Sequence, residues 1–294
     1  MGYLPSIEVL PFMEWARNNS VDCHPYSSYG AMTRGLMQGE IDGGILPWEL
    51  AVVDLLLRPG QRIRWRVPAV LRACPMELVL SHSAMKKVNR NRTRRLSPGS
   101  VKLTFGIEAK HSFSRLQIEL WQQNSGHDHL ATPDFKMLPM GMMLTGLENG
   151  VIDGFLAPLP WGTQAESQGN GKVDRKFGGG PFTQDIVLVC EEGALNYRNG
   201  VLNNLAGDLG GGEDFYSDDE SLEKAFERMS SETSTKLNPA LGIQSCRKYP
   251  LDAMPGEFIP DEDWFRKELD VIARRSGIKI RESLSSEISI ISTK

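Results

Sequence analysis

The residues best equipped for chemistry in this chain are scattered, and their spacing argues against most of the chemistry they suggest. The four cysteines, Cys23, Cys74, Cys190 and Cys246, include no Cys-x-x-Cys pair. Neither a zinc site nor a thioredoxin-like redox pair is expected from them, and small apolar core positions suit them better. His127-Asp128-His129 gathers two imidazoles and a carboxylate, but the polar stretch around it offers no further ligand. The glycines of "KFGGGPFTQ" and "QGNGKVD" invite a phosphate-cradling loop, yet no Gly-Lys-Ser/Thr follows either of them. No nucleophile stands beside a recognisable base. The run "KKVNRNRTRRLSPGS", Lys86 to Ser100, is basic with no acidic residue and no aromatic to stack on a base, and it reads as a solvated connector. Binding without catalysis is what remains: no catalytic residue, metal or cofactor is expected.

The elements that would build a binding site are announced by a repeat. "GLMQGEIDGGILPW" begins at Gly35 and "GLENGVIDGFLAPLPW" at Gly146, an offset of 111 residues. In the first copy Met32, Leu36 and Met37 give a helical face, Gly39 sits where a left-handed cap falls, and Ile45-Leu46 form a short strand closed by Pro47. The second copy repeats the grammar with Met142, Met143 and Leu147, Gly150 as cap, and Val151 to Leu156 as the apolar run. An offset of that size matches a domain rather than a solenoid repeat, so two similar α/β lobes are expected.

At 294 residues the chain has room for two modest domains. Its 40% hydrophobic and 24% charged content is that of a soluble globular protein, and a net charge of −4 gives no basic footprint for nucleic acid. No apolar run is long enough to span a membrane. The N-terminus lacks a basic region followed by an apolar stretch, so the chain reads as cytoplasmic as written, or periplasmic if a leader precedes it. Ser6 or Pro11 starts a first helix, "ELVLSHSAM" a strand leading into a helix, and "VKLTFGI" another strand. "HSFSRLQIELW" follows as a helix with Ser112 at its N-cap and Phe113, Leu116 and Leu120 on one face. "PDFKML" and "DIVLVC" are strands. "DLGGGEDFYSDD" reads as an acidic loop, and "SDDESLEKAFERM" and "PDEDWFRKELDVIARRSG" as charged helices.

These pieces together resemble the nitrate/bicarbonate-type solute-binding proteins of ABC importers and their cytoplasmic nitrate-sensor relatives, a group related to sulfonate-, taurine- and thiamine-precursor-binding proteins. The resemblance covers most of residues 1–200 and rests on "GYLPSIEVLPF", "SSYGAMTRGLMQGEIDGG", "LTFGIEAKHSFSRLQIELW" and "MGMMLTGLENGVIDGFLAPLPWGTQA". It implies a two-lobed type II periplasmic-binding-protein-like α/β fold with the ligand between the lobes. On this numbering lobe one is 1–95 and 190–294, and lobe two is 96–189. By the same resemblance Glu8, Ser28, Tyr29, Trp161 and Gln184 fall at ligand-binding positions, and Ser112 suits an oxyanion at a helix N-terminus.

One departure bears on the ligand. Where nitrate-type members carry Glu-Lys before the strand returning to lobe one, this chain has Thr183-Gln184-Asp185. The counter-charge is missing and a carboxylate is close by, so nitrate is expected to bind weakly and a neutral or zwitterionic solute to fit better. Arg115 is the residue that would restore a positive charge. The resemblance implies an importer component partnered by a permease. A cytoplasmic ligand sensor acting through a regulatory protein is the alternative. An enzymatic reading, drawn from a pyrimidine-precursor synthase in the same superfamily, lacks its cysteine-rich signature here.

Overall fold

The structure is a computed structural model that describes residues 1–51, 65–71, 75–93, 101–110, 112–124, 130–177, 186–197, 212–232, 237–249 and 257–258. Its framework is two mixed sheets. The first contains β1 (Gly2–Tyr3), β2 (His24–Pro25), β3 (Gly43–Pro47), β4 (Trp65–Leu71), β10 (Ile186–Glu191) and β11 (Glu257–Phe258), in the order β11-β4-β10-β3-β1-β2. The second contains β5 (Met76–Ser81), β6 (Thr104–Ile107), β7 (Asp134–Met137), β8 (Gly154–Pro158) and β9 (Gly171–Phe177), in the order β7-β6-β8-β5-β9.

The two orders are one pattern. In each sheet three strands run parallel: β1 pairs with β2 and β3, and β6 pairs with β7 and β8. A fourth, antiparallel strand follows, β10 against β3 and β5 against β8. That fourth strand comes in each case from the far side of a chain crossing, so each lobe is completed by a strand delivered after the chain has visited the other.

The repeat occupies equivalent places in this pattern. Helix α2 (Tyr29–Gln38) ends at Gly39 with φ 70°, and α6 (Met140–Glu148) is followed by Gly150 with φ 67°. Both glycines take the left-handed conformation that a Cβ disfavours. Around them the Glu40 N–H donates to Gly35 O at 2.9 Å and the Val151 N–H to Gly146 O at 2.8 Å, the same bond 111 residues apart. The Ile-Asp-Gly glycines open β3 and β8. A Cβ on Gly43 would stand 2.8 Å from Val189 O, and one on Gly154 2.5 Å from Val79 O. The repeated glycine is therefore required by the close approach of the fourth strand.

Strand side chains alternate between faces with the period of two that a pleated sheet imposes. Ile45, Leu188 and Cys190 enter one apolar cluster while Leu46, Val187 and Val189 enter another. Phe155, Ala157 and Val79 join the first cluster, and Leu156, Leu78 and Leu80 a third. Burial on both faces explains why these strands read as continuous apolar runs. The first cluster spans both lobes through α1 (Leu10–Asn18), α6 and α10 (Asp219–Glu232).

Several expectations need correction. The change of lobe falls before residue 76 and not near 96, since β5 pairs with β8 and β9 and α4 (His82–Thr93) packs on it. A buried strand carries no compositional break, whereas the basic run that looked like a connector is in its first part this helix, with Lys87 paired to Asp153. The return strand β10 lies wholly in the first sheet. On α5 (Phe113–Asn124) Phe113 is buried as expected and the stripe continues through Ser114, Gln117, Ile118 and Trp121, while Leu116 and Leu120 are half-buried. Polar Ser114 and Gln117 hid that stripe from a hydrophobicity pattern. Met142 is 56% exposed, one residue off the buried Met143–Leu147 face. Residues 212–217, expected as loop, form helix α9 (Gly212–Ser217). Cys190 and Cys246 are buried free thiols and Cys23 is half-buried. Cys74, His127 to His129 and the second charged helix lie outside the described residues.

Candidate functional site

In open α/β sheets, ligands bind outside the carboxyl ends of the parallel strands, where loops from neighbouring strands diverge. The two lobes present those ends to each other. Leu4 and Pro5 follow β1, Tyr26 and Ser27 follow β2, Pro139 to Met142 follow β7, and Trp161 follows β8. All of them, with Pro25 and Glu232, line one cavity of about 760 Å³. Its walls are apolar and aromatic, and among the described residues its lining holds one carboxylate and no Lys, Arg or His.

Hydrogen bonds between loops of the two lobes join them at this junction. The Ile7 N–H donates to Leu159 O at 3.1 Å, the Trp161 indole N–H to Pro5 O at 3.0 Å, and the Phe113 N–H to Glu49 Oε1 at 2.9 Å. The C-terminal helices add a brace. On lobe one the Tyr216 hydroxyl donates to Ile7 O at 2.9 Å, the Tyr3 hydroxyl donates to Glu232 at 2.7 Å, and Arg228 pairs with Glu14. Past the end of α11 (Pro239–Arg247), Lys248 donates to Thr163 at 2.9 Å in lobe two, and the Tyr249 hydroxyl to Glu77 at 3.2 Å.

A second polar group lies at the carboxyl end of β6. Glu108 directly follows this strand, and its Oε1 accepts from the Ser114 hydroxyl at 3.0 Å. Its Oε2 is buried without a hydrogen-bond partner, and so is the hydroxyl of Ser112, a residue 5% exposed. Burial pushes the Glu108 carboxyl up to about 7. Its backbone N–H and the nearby Ser114 and Ser112 hydroxyls pull the other way, and the charge of Glu8 in lobe one adds a smaller upward push.

The six residues singled out from sequence fall in different places. Trp161 lines the cavity, and its side chain spans the lobes. Ser28 caps α2, accepting from the Ala31 N–H at 3.2 Å, next to the lining residue Ser27. Tyr29 is buried in the first-lobe cluster with Met32, Leu36 and Trp48. Glu8 is buried in the 3-10 helix Ile7–Val9. Ser112 holds the N-cap position of α5 but does not cap it with its hydroxyl; Glu49 takes the first N–H of the helix instead. Gln184 lies outside the described residues. Arg115 is directed away from any role as counter-charge, bonded to Glu119 at 3.0 Å and set over the Phe135 ring.

Sequence reasoning missed Glu49, Glu108, the start of α6 at Pro139–Met142 and Glu232. Glu108 stood inside a quoted motif, and its place right after a strand was the available signal. Glu49 and Glu232 carry no local signal, since each reaches the lobe junction through tertiary packing.

Among the described residues no helix is long and apolar enough to cross a membrane, and no group of His, Cys, Asp and Glu is placed to hold a metal. No curated protein sequence matches significantly. Solved structures do. A ligand-binding component of an ABC-type import system from Staphylococcus aureus, solved with zinc bound, aligns with TM-score 0.71 at 16% identity, covering 98% of this chain and 97% of its own. The periplasmic nitrate-binding protein from Synechocystis PCC 6803 gives TM-score 0.71 at 11% identity, over 97% and 83%. The alkanesulfonate-binding protein from Xanthomonas axonopodis pv. citri, bound to MOPS, gives 0.67 at 10%, over 98% and 96%. The fold shared with them is the two-lobed periplasmic-binding-protein architecture. The NMT1-like family matches residues 16–186, more than half of the chain, and the chain belongs to that family.

Proposed function

We propose that this protein is the solute-binding component of an ABC-type importer, closing its two lobes on a small organic molecule. The observation that carries this reading is the cavity of about 760 Å³ walled from both lobes by loops at the carboxyl ends of parallel strands. Its size and its mix of aromatic, thioether and a few polar groups suit a small molecule. What the structurally similar proteins are named for points the same way, and favours an importer component over a cytoplasmic sensor. In this reading the protein works by hinge motion and not by catalysis, meets a permease, and acts outside the cytoplasm as the named periplasmic proteins do.

Trp161 is then a cavity wall, and Ser28 and Tyr29 support the loop that carries Tyr26 and Ser27. Nitrate fits this lining poorly, because among the described residues the cavity offers it a carboxylate and no cation. Small-angle scattering of the purified protein tests the reading, using nitrate, bicarbonate, alkanesulfonates and small amines. A bound solute is expected to shrink the radius of gyration and to change the fluorescence of Trp161. An unchanged envelope with every solute, and no small molecule released on denaturation, would reject it.

A further inference from the structure

We propose that the solute taken by the interlobe cavity is an organic cation with an apolar body, and that Glu232 is the residue that reads its positive charge. This deepens the solute-binding reading and rests on it.

The cavity of about 760 Å³ leaves few polar side chains open to a solute. The Trp161 indole N–H is bonded to Pro5 O, and the Tyr26 hydroxyl lies toward Gly35, where an added Cβ would meet it at 2.6 Å. What these two residues give the cavity is ring surface, and Met140, Met142 and the neighbouring prolines continue it. Among the described lining residues, the polar side chains that remain open are the Ser27 hydroxyl and the Glu232 carboxylate.

Glu232 is held in place. Its Oε2 accepts from the hydroxyl of the buried Tyr3 at 2.7 Å, and its Oε1 has no partner among the described residues. Arg228, one turn earlier on α10, pairs with Glu14 and not with Glu232. Glu232 also stands in the last turn of α10, which holds no basic residue. The C-terminal end of a helix is partially negative, and stability alone favours Lys or Arg there. A carboxylate set against that preference at a cavity wall marks a position kept for a ligand and not for the fold.

Magnitudes decide which charge the cavity accepts. Helix α6 begins at the wall from lobe two, and its N-terminus supplies about half a positive charge. Against it stand the full negative charge of Glu232 and about half a charge more from the end of α10. The balance is negative, so a cation is drawn in and an inorganic anion or sulfonate is repelled. The ring faces of Trp161 and Tyr26 attract a cation as well. Glu232 comes from a helix packed on lobe one, whereas Trp161 and Met140 belong to lobe two. Closing the lobes therefore brings the carboxylate and the apolar wall onto the same solute.

Calorimetric titration of the full chain tests this, with phenethylammonium and butylammonium as cations, 2-phenylethanol as a neutral counterpart, and nitrate and ethanesulfonate as anions. At least one cation is expected to bind the wild-type protein, phenethylammonium more tightly than 2-phenylethanol, and the binding should weaken as salt rises. In Glu232→Gln the cation should lose roughly tenfold in affinity, the scale of a lost hydrogen bond to a charge, and its advantage over the alcohol should vanish. The glutamine amide oxygen can still accept from Tyr3, so this variant removes the charge and keeps the contact. Tyr3→Phe, which removes the anchor of the carboxylate, should weaken the cation by a smaller factor and preserve its advantage over the alcohol. Thermal melts establish that the variants fold; if Tyr3→Phe does not, Glu232→Gln, at an exposed position, carries the test alone. If neither cation binds the wild-type protein more tightly than it binds folded Glu232→Gln, the inference fails. Lobe closure on nitrate, ethanesulfonate or 2-phenylethanol without cation binding, read by small-angle scattering, overturns it while leaving the solute-binding reading intact. No closure on any probe removes both.

Discussion

The two lobes share a framework and differ at their edges. Strand order, the direction of each pairing, the left-handed glycine after the helix and the glycine under the fourth strand are all duplicated. The match runs in register from Gly35 with Gly146 to Pro47 with Pro158. Lobe two then inserts Leu159-Pro160. In lobe one Trp48 follows Pro47 at once and packs into its own lobe, and the next residue, Glu49, reaches across to α5. In lobe two the two added residues carry Trp161 across to Pro5, with Leu159 O accepting from Ile7. The lesson is positional. Residues that close a lobe's own hydrogen bonds are held by backbone geometry that both lobes need, whereas residues beyond the strand ends face the partner lobe and are free to diverge.

The sharpest way to break this comparison is at the duplicated glycine. Gly154→Val places a side chain where its Cβ stands 2.5 Å from Val79 O, and Gly43→Val does the same 2.8 Å from Val189 O. Backbone cannot yield as a side-chain tip can, so each is expected to cost about 3 kcal/mol or more. Urea unfolding of both variants checks it. A tolerated valine at one glycine and a ruinous one at the other would show that the lobes are not equivalent frameworks.

A second test uses the carboxyl that follows β6 in lobe two. Glu108 has a raised carboxyl, so the folded chain holds its proton more tightly than the unfolded one. Its favourable contribution is complete below the ordinary carboxyl value and is lost as pH rises through about 7. Glu108→Gln cannot ionise, and should melt higher than wild type at pH 8, by the equivalent of up to about 3 kcal/mol. Relative to wild type that gain should shrink steadily toward pH 4.5. Melting curves across this range decide it, and a pH-independent difference would show that Glu108 is not held away from water.

The smallest effect belongs to the inserted turn. Trp161→Phe deletes the indole N–H that meets Pro5 O and trims a fully buried bicyclic ring to a single one. The loss should be about 1–2 kcal/mol, and it should appear as easier separation of the lobes. Hydrogen exchange at Ile7, whose N–H bonds to Leu159 O, is the local readout, with faster exchange expected in the variant. Equal protection would mean that the turn does not help hold the lobes together.

Much of the fold was legible because its signals are local. A left-handed glycine, a proline at a strand end and an apolar run of five residues are each dictated by the backbone of that segment. Gly39, Gly150, Pro47 and Pro158 therefore announced the two lobes from spacing alone. The division at residue 96 failed for the complementary reason. Which sheet a buried strand joins depends on pairing between distant segments, and β5 looks the same in either sheet.

The site was less legible still. Ser112 was visible as the residue before a helix, but its hydroxyl is not the cap, because Glu49, 64 positions away, arrives first. What the sequence determined by itself is whatever one stretch of backbone can enforce: the helix ends, the short strands and the duplicated plan. What only the tertiary structure decided is which carboxyls and hydroxyls meet between the lobes. A carboxyl's burial, its partners and hence the pH at which it titrates are set by atoms brought from elsewhere in the chain.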